Sequence, residues 1–554
     1  MRDVEAMQKT GGQLIVECLE TQGVDRIFCV PGESYLAVLD ALHDSSIETV
    51  LARQEGGAAM MAEADGKLTG RPGVCMVTRG PGATNAASGV HVAKQDSTPM
   101  ILLVGQIGRR MKGREAFQEV DYRQTFGDLA KWVTEIDHAD RIPEVMAHAF
   151  HVAMSGRPGP VVISLPEDML RDTCEANIGP KVEVPEPAPT DEAMMALGKL
   201  LGSAQSPFLL LGGSRWNETA VQNVHEFAEK WGLPVGCSFR RQQLFDHLHP
   251  NYAGDVGLGI NPKLKERLVK SDLVILLGAR FSENPSQGFS LFDIPKPKQR
   301  VVQIHPGAEE IGRIYTPDLA INATPGTFLA KANKLTPTPF GGLAEEAHKA
   351  YLEWTGELPN TPGDAEMGPI MNLLRDQLPD AVIANGAGNY AIWVHRFWRF
   401  RNYGSQLAAT SGSMGYGLPA AVAGKLRQPE RPLICFAGDG CFQMTMQEFG
   451  TAVQSGANFL TILVDNGAYG TIRMHQERDY PDRVSATELK NPDFAAIALA
   501  YGAHAETVVK TEEFEGALER SLASGKAALI HIKTDPEAIT PATTLTKLRG
   551  TGVQ

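Results

Sequence analysis

The sequence contains few cysteines and no two of them in a CxxC arrangement. Seven cysteines are spread over 554 residues, and several lie in apolar stretches such as GVCMVT and LICFAG. This odd number, without metal-ligand spacing, argues against a disulfide framework and against a zinc site. We therefore expect buried free thiols in a reducing compartment, and hence a cytoplasmic protein.

The chain also lacks an excess of positive charge and any long uncharged apolar run. Its 65 acidic and 52 basic residues leave a formal net charge of -13, which argues against a general nucleic-acid-binding protein. No apolar stretch is long enough to span a bilayer, and the first residues have no apolar segment typical of a signal peptide. The sequence therefore predicts neither a nucleic-acid partner nor a membrane partner.

Short apolar segments instead alternate with amphipathic helical patterns, in three successive blocks. DRIFCV and PMILLVGQ belong to the first, PFLLLGG and DLVILLGAR to the second, and PLICFAGDG and FLTILVDNG to the third. This alternation is typical of a parallel sheet covered by helices. Polar, proline-rich segments around 180–190 and 335–365 separate the blocks. The sequence thus predicts an α/β protein with three doubly wound parallel-sheet domains, at 1–180, 190–335 and 365–554.

Two polar turns follow apolar strands in the third block. The first turn is centred on Asp439, between two glycines, and the second is Asp465-Asn466. About one helix and one strand lie between them, so neighbouring strands would bring both turns to the same edge of a sheet. Carboxylate and amide oxygens suit Mg²⁺, and glycines let backbone amides approach phosphates. Each turn alone is an ordinary turn sequence; together they indicate a metal–diphosphate site.

This pair of turns resembles the diphosphate-binding motif of thiamine-diphosphate enzymes, in which Gly-Asp-Gly is followed by Asn-Asn. Here Asp465 stands at the first asparagine, and Asn466 keeps the second. The resemblance implies that Asp439, Asn466 and the backbone oxygen of Ala468 hold Mg²⁺. The same motif places the cofactor's diphosphate at this turn.

The segment VLARQEGGAAMMAEADGKLTGRPGVCMVTRGPGATNAASG is similar to the acetolactate synthase group of that family. The resemblance implies that Glu55 activates the cofactor through N1′ of its aminopyrimidine. It also implies that Pro81 and Asn85 are positioning residues at the pyrimidine end. Without the resemblance, Glu55 is better explained as a glutamate in a first helical turn, where the helix dipole favours negative charge.

Two further segments, ATSGSMGYGLPAAVAGKL and NGAGNYAIWVHRFWRFR, carry the same resemblance. It implies that Met414 supports the bent cofactor, although a methionine beside glycines is more often plain core, and that the carbonyl of Gly412 accepts from its 4′-amino group. It also places Phe117 and Gln118 beside the substrate channel. The cofactor-binding residues implied in this way are Pro81, Asn85, Gly388, Asn389, Tyr390, Gly412, Met414, Gly438, Asp439, Gly440, Asn466 and Ala468.

The chain departs from the acetolactate synthase pattern in two regions. His475 stands where that group has a pocket tryptophan, and Thr471 where it has a methionine. His475 is either a proton carrier near the active site or a surface residue of a mobile loop. In the central block, Ser282 and Asn284 replace an acid and an arginine, and a Met-His-Gly signature is missing. These losses imply that FAD is not firmly bound, and the lost arginine removes a carboxylate clamp for a 2-keto acid acceptor.

The resemblance implies an enzyme that uses thiamine diphosphate and Mg²⁺ to decarboxylate a 2-keto acid and join the product to an acceptor carbonyl. Its candidate catalytic residues are Glu55, Gln118 and His475. Simple decarboxylation, carbon–carbon lyase action and acyl transfer are alternatives with the same cofactor. A non-catalytic thiamine-binding protein has no need of Glu55, and a nicotinamide dehydrogenase would need a GxGxxG opening that the chain does not offer. The resemblance also implies a homodimer or homotetramer, in which Glu55 and Asp439 of one site come from different subunits.

Overall fold

The computed structural model describes residues 8–552, and its architecture rests on three six-stranded sheets. Within each of these sheets, every pair of neighbouring strands is parallel. A short antiparallel ladder joins Lys9–Thr10 to Thr173–Cys174.

The strands of the described residues are β1 (Lys9–Thr10), β2 (Arg26–Cys29), β3 (Glu48–Leu51), β4 (Gly73–Val77), β5 (Met100–Gln106), β6 (Trp132–Glu135), β7 (Pro160–Pro166), β8 (Thr173–Cys174), β9 (Pro207–Leu211), β10 (Val235–Ser238), β11 (Tyr252–Val256), β12 (Leu273–Leu277), β13 (Arg300–His305), β14 (Leu319–Asn322), β15 (Val382–Asn385), β16 (Gln406–Ala408), β17 (Leu433–Gly438), β18 (Leu460–Asp465), β19 (His504–Val508) and β20 (Ala528–Lys533).

The α-helices are α1 (Gly11–Thr21), α2 (Leu36–His43), α3 (Glu55–Thr69), α4 (Pro81–Asp96), α5 (Tyr122–Thr125), α6 (Ile142–Met154), α7 (Asp191–Gly202), α8 (Glu218–Trp231), α9 (Pro262–Lys270), α10 (Pro325–Ala332), α11 (Leu343–Gly356), α12 (Met367–Gln377), α13 (Tyr390–Phe397), α14 (Gly417–Arg427), α15 (Asp439–Gln443), α16 (Glu448–Gln454), α17 (Gly470–Asp479), α18 (Phe494–Ala500), α19 (Phe514–Ala523) and α20 (Leu545–Leu548).

The chain forms two compact units. The first comprises the described residues up to Pro185 together with Val422–Arg427 and Gln447–Ser455. Its sheet has the strand order β3-β2-β4-β5-β7-β6. The second unit comprises the remaining described residues. It contains two sheets, with the orders β11-β10-β9-β12-β13-β14 and β16-β15-β17-β18-β20-β19.

The strands at the centre of each sheet are almost continuously apolar. MILLVGQ of β5 and LVILL of β12 are buried at every position, as expected for parallel strands that are covered on both faces. Local signals set several helix ends. Thr10 and Gln13 form a capping box at the start of α1, and Gly232 ends α8 in the left-handed conformation.

The three parallel sheets confirm the predicted α/β fold class. The domain boundaries at 1–180, 190–335 and 365–554 stay a prediction, and their first seven and last two residues lie outside the described part of the chain. Among the helices of residues 8–552, none has the length and apolar character needed to cross a membrane.

Candidate functional site

Four adjacent strands of the third sheet end at one edge, in the order β16-β15-β17-β18. The next two strands along the chain, β16 and β17, lie on opposite sides of β15. Such a reversal of strand order opens a crevice at the carboxyl ends of the strands. A cavity of ≈ 260 Å³ lies there. Ten residues that the sequence singled out line this cavity: Gly388, Asn389, Tyr390, Gly412, Met414, Gly438, Asp439, Gly440, Asn466 and Ala468.

Two carboxylates face each other at this edge, at the ends of β17 and β18. The side-chain amide of Asn491 donates to Oδ2 of Asp439 and to Oδ1 of Asp465, at 2.7 Å in each case. The backbone N–H of Gly467 also donates to Asp465 (2.9 Å), and Nε2 of His531 on β20 donates to its second oxygen (2.8 Å). The departure from the family motif at Asp465 is therefore matched by a buried histidine on the neighbouring strand.

The two carboxyl groups have opposite pKa shifts. Burial raises the pKa of Asp439, and the nearby charge of Asp465 adds to the increase. Burial alone would also raise the pKa of Asp465, but the hydrogen bonds from His531, Gly467 and Asn491 outweigh it and lower that pKa. Two acids in one buried crevice are unfavourable unless a positive charge offsets them. The arrangement therefore fits a divalent cation.

Close packing and a local hydrogen bond fix the backbone turns around this pair. A Cβ atom on Gly440 would lie 2.6 Å from the ring of Tyr469, so only glycine fits there. The side-chain oxygen of Asn466 accepts from the backbone N–H of Ala468 (3.2 Å), which fixes the turn after β18. Within the described residues no cluster of three or more His, Cys, Asp or Glu side chains could hold a metal. A cation here would depend on amide, carbonyl and ligand oxygens, as Mg²⁺ commonly does.

Helix α17 contributes one wall of the cavity. Thr471 lines it and donates from its hydroxyl to the side-chain oxygen of Asn389 (2.9 Å). The amide of Asn389 in turn contacts the sulfur of Met474 (3.5 Å). His475 lies on the same helix but is exposed and does not line the cavity. Its catalytic role stays a prediction.

The first unit brings together the other predicted site residues. Glu55 is the first residue of α3, and its carboxylate accepts from the side-chain amide of Asn85 on α4 (3.0 Å). Pro81 is the first residue of α4. Gln118 packs closely against Gly80. A Cβ atom on that glycine would lie only 2.8 Å from the Cβ of Gln118. These residues lie at or after the carboxyl ends of β3, β4 and β5.

A residue that the sequence reasoning missed supports the start of α3. The buried carboxylate of Glu448 accepts from the backbone N–H of Arg53, with both oxygens 3.1–3.2 Å away. It also accepts from the hydroxyl of Thr451 (2.7 Å). The position follows the predicted diphosphate turn in QMTMQEFG, but nothing local shows that this glutamate binds the backbone just before a helix nearly 400 residues earlier. Asn491 was missed for the same reason, because its partners are distant in sequence.

Comparison with known proteins identifies the family. A model described as the thiamine pyrophosphate enzyme C-terminal TPP binding domain matches residues 386–532. The N-terminal TPP binding domain model matches 9–125, and the central domain model matches 195–332. The chain is 31% identical over 536 residues to the acetolactate synthase isozyme 2 large subunit of Escherichia coli, covering 95% of both proteins. The chain belongs to the thiamine pyrophosphate enzyme family.

Other members of the family show a similar degree of likeness. The acetolactate synthase large subunit of Corynebacterium glutamicum is 32% identical over 539 residues, covering 94% of this chain and 86% of that protein. The isozyme 1 large subunit of Escherichia coli is 32% identical over 539 residues, covering 95% and 94%. These matches confirm the predicted resemblance to acetolactate synthase large subunits. They also confirm the prediction of a thiamine-diphosphate-dependent enzyme. Thiamine pyrophosphate is another name for thiamine diphosphate.

The central sheet contains a crevice of its own, at the reversal of strand order between β9 and β12. The indole nitrogen of Trp216 donates to the carbonyl of Gly212 at the end of β9 (2.8 Å), and it lies 3.4 Å from where a Cβ on Gly278 would be. A Cβ on Gly213 would lie only 2.0 Å from the carbonyl oxygen of Gly278. The loops after β9 and β12 therefore approach each other closely, which requires glycine at 213 and 278. The expected weakness of FAD binding stays a prediction.

Proposed function

We propose that this protein is a thiamine-diphosphate- and Mg²⁺-dependent enzyme that decarboxylates a 2-keto acid and joins the product to a second carbonyl compound. Relatives named acetolactate synthase support this reaction class. The observation that carries the proposal is the pair of buried Asp439 and half-buried Asp465, which lies beside a cavity lined by the glycine-rich ends of four parallel strands.

In this proposal Mg²⁺ is held by Asp439, the side-chain oxygen of Asn466 and the carbonyl oxygen of Ala468. Asn491 orients Asp439, and Thr471 orients Asn389 beside the cavity. Thiamine diphosphate, when bound, supplies a nucleophilic carbon and a sink for the electrons that decarboxylation releases. The apolar lining from Met414 and Ile539 excludes water from that region.

The task assigned to Glu55 is to hold and return a proton at the cofactor's aminopyrimidine. Asn85 donates to one carboxylate oxygen of Glu55 (3.0 Å). That hydrogen bond orients the side chain and leaves the second carboxylate oxygen available for the ring nitrogen. Gln118 and His475 stay candidate residues for substrate contact and proton transfer.

A screen of 2-keto acids tests the reaction. The protein is incubated with thiamine diphosphate, Mg²⁺ and each keto acid, with and without an aldehyde or keto acid acceptor. We expect carbon dioxide release together with carbon–carbon coupled products. Carbon dioxide with only the free aldehyde would favour the simple decarboxylase alternative. Cofactor binding without turnover of any donor would contradict the enzymatic proposal.

Two variants test the proposed residues. Asp439→Ala should abolish binding of thiamine diphosphate with Mg²⁺ in calorimetry, because the diphosphate is held through the metal. Glu55→Gln should bind the cofactor nearly as the wild type does, but slow deuterium exchange at thiamine C2, followed by NMR. Unchanged affinity in the first variant, or wild-type exchange in the second, would remove that residue from its role.

FAD is not part of the proposed cofactor set. Ser282 and Asn284, which stand where the acetolactate synthase pattern has an acid and an arginine, support this part of the proposal. The visible absorption spectrum of the purified protein decides it. A stoichiometric flavin band would show that this part of the proposal is wrong.

A homodimer or homotetramer completes the proposal, with each cofactor shared between Glu55 of one subunit and Asp439 of another. Glu55→Gln and Asp439→Ala chains, each inactive alone, are mixed under conditions that allow subunit exchange. Partial recovery of activity is expected, because a hybrid dimer regains one intact site. A fully active monomer in sedimentation would rule this arrangement out.

A further inference from the structure

Arg240, which follows β10 of the central sheet, has an unusual backbone conformation and an unusual degree of burial. Its φ is 57°, in the left-handed region that residues other than glycine rarely occupy. Its side chain is only 3% exposed. A strained backbone and a buried charge each cost free energy, and such costs are commonly found at functional sites.

The guanidinium group of Arg240 contacts two neighbouring strands of the third sheet. One terminal nitrogen donates to the carbonyl of Gly386 (2.8 Å), and the other donates to the carbonyl of Ala409. Gly386 directly follows β15 and Ala409 directly follows β16, and the two strands are parallel neighbours. Arg240 therefore bridges them where their ladder ends.

The two bridged carbonyls begin the segments that line the proposed cofactor cavity. Gly386 leads into Gly388–Tyr390, and Ala409 leads into Gly412–Met414. Both segments lack regular strand structure. Gly388 and Gly412 have φ values of 147° and 68°, so their backbones have little intrinsic preference for one conformation. A fixed donor at the start of each segment limits the positions available to it.

Two further ionisable side chains, Asp255 and His395, lie close enough to Arg240 to feel its charge. His395 is buried and Asp255 is half-buried, and Asp255 Oδ1 and both ring nitrogens of His395 have no hydrogen-bond partner among the described residues. Burial raises the pKa of Asp255 to about 8, against the opposing charge of Arg240. The planar fork of the guanidinium suits the carbonyls of Gly386 and Ala409 as two acceptors at a fixed spacing.

We propose that Arg240 is a positioning residue of the cofactor site, which holds the segments after Gly386 and Ala409 in the arrangement that binds thiamine diphosphate. The identity of the ligand rests on the proposed function. The positioning role goes beyond it, because it assigns to a residue of the central sheet a part in cofactor affinity.

Arg431 provides a matched control at the opposite end of the same two strands. Its guanidinium donates to the carbonyl of Gly404, just before β16 (3.4 Å), and to the carbonyl of Asp380, just before β15 (3.1 Å). Loss of either arginine removes a similar pair of hydrogen bonds between the strands. Only loss of Arg240 affects the edge that lines the cavity.

The experiment compares Arg240→Met, Arg240→Lys and Arg431→Met with the wild type. Calorimetry gives the dissociation constant of thiamine diphosphate in the presence of Mg²⁺, and thermal unfolding without cofactor gives stability. We expect Arg240→Met to bind the cofactor roughly tenfold to a hundredfold more weakly, from the loss of two charge-assisted hydrogen bonds. Arg240→Lys should recover part of the affinity, while Arg431→Met binds as the wild type does, although its unfolding midpoint falls.

Each outcome bears on the proposal. Equal affinities for Arg240→Met and the wild type, or equal weakening in Arg431→Met, would show that Arg240 only joins the two sheets. If Arg240→Met fails to fold, Arg240→Lys decides, since wild-type affinity and unchanged amide exchange at residues 386–390 and 409–414 would overturn the proposal. A wild-type protein that does not bind thiamine diphosphate would instead overturn the proposed function, and this inference with it.

Discussion

At the scale of single residues, Asn491 is the least obvious part of the proposed metal site. One amide nitrogen holds the carboxylates of Asp439 and Asp465 at 2.7 Å each. Replacing Asn491 with leucine removes that donor and leaves two acidic groups without their shared partner. We expect Asn491→Leu to weaken Mg²⁺ binding, measured by calorimetry with thiamine diphosphate present, by roughly tenfold to a hundredfold, as for other residues that orient metal ligands.

Asn458 offers the control for this substitution. It lies just before the opposite end of β18 and donates to the carbonyl of Gly525 (2.9 Å). Asn458→Leu should leave Mg²⁺ affinity unchanged. Equal affinities in Asn491→Leu and the wild type would mean that Asp439 is held well enough by the backbone alone.

A second residue-scale prediction concerns pH. Burial lowers the pKa of His247 to about 3, from 6.5 in a model compound. His395 is buried too, with the same result. In the native protein both rings stay neutral below pH 6.5, whereas the unfolded chain takes up their protons. Because the unfolded state then binds more protons, the free energy of unfolding falls as pH drops from 6.5 towards 3 and is independent of these groups above 6.5.

The size of this effect is at most about 1.4 kcal/mol per pH unit for each histidine. His247→Gln should lower stability at pH 7 and reduce the slope of unfolding free energy between pH 6.5 and 4.5, measured by urea unfolding. His43, an exposed histidine at the end of α2, serves as the control. A slope that is the same in His247→Gln, His43→Gln and the wild type would contradict the prediction.

At the scale of secondary-structure elements, the start of α3 determines where Glu55 lies. The neutral side chain of Gln54 caps the helix by accepting hydrogen bonds from the backbone N–H groups of Gly56 and Gly57. Glu448 adds a buried carboxylate for the N–H of Arg53, the residue before the cap. An acidic group is favourable there, since the positive end of the helix dipole faces it.

Loss of Glu448 should therefore destabilise the protein through the first turn of α3. We expect Glu448→Ala to lower the free energy of unfolding by about 1–3 kcal/mol, the cost of an unpaired buried donor. Glu144 is an exposed glutamate of α6 that pairs with Arg141. Glu144→Ala should change the free energy of unfolding by less than about 1 kcal/mol. Chemical denaturation measures both free energies of unfolding. Equal effects of the two substitutions would show that Glu448 does not stabilise the first turn of α3.

At the scale of the whole molecule, the cysteines report on the integrity of the fold. All seven are free thiols, and only Cys174 is not buried. Burial raises the pKa of Cys29 to about 11 and that of Cys18 to about 12, so few thiolates form at neutral pH. An aromatic disulfide reagent at pH 7.5 should react quickly with no more than one thiol per native chain, and with seven after denaturation. Fast reaction of several thiols in the native protein would contradict the packing described.

Local patterns in the sequence were enough to predict several parts of this protein. Apolar segments such as MILLVGQ and LVILL, alternating with amphipathic helices, predicted the parallel sheets, because strands buried on both faces need continuous apolar side chains. The Gly-Asp-Gly and Asp-Asn turns predicted an edge where Asp439 and Asn466 meet, since parallel strands place their carboxyl ends together. The family resemblance then supplied the cofactor that such an edge would hold.

The identity of the distant groups that complete these local features depends on how the folded chain packs. His531 is the partner of Asp465, and Glu448 is the partner of the N–H of Arg53 before α3. Arg240 is the partner of the strand ends at Gly386 and Ala409. Each partner lies tens to hundreds of residues away in the sequence. A buried carboxylate or carbonyl requires a donor, but any nearby donor satisfies it. Hydrogen bonding therefore constrains the position of the partner in space, which only the packing of the sheets and helices determines.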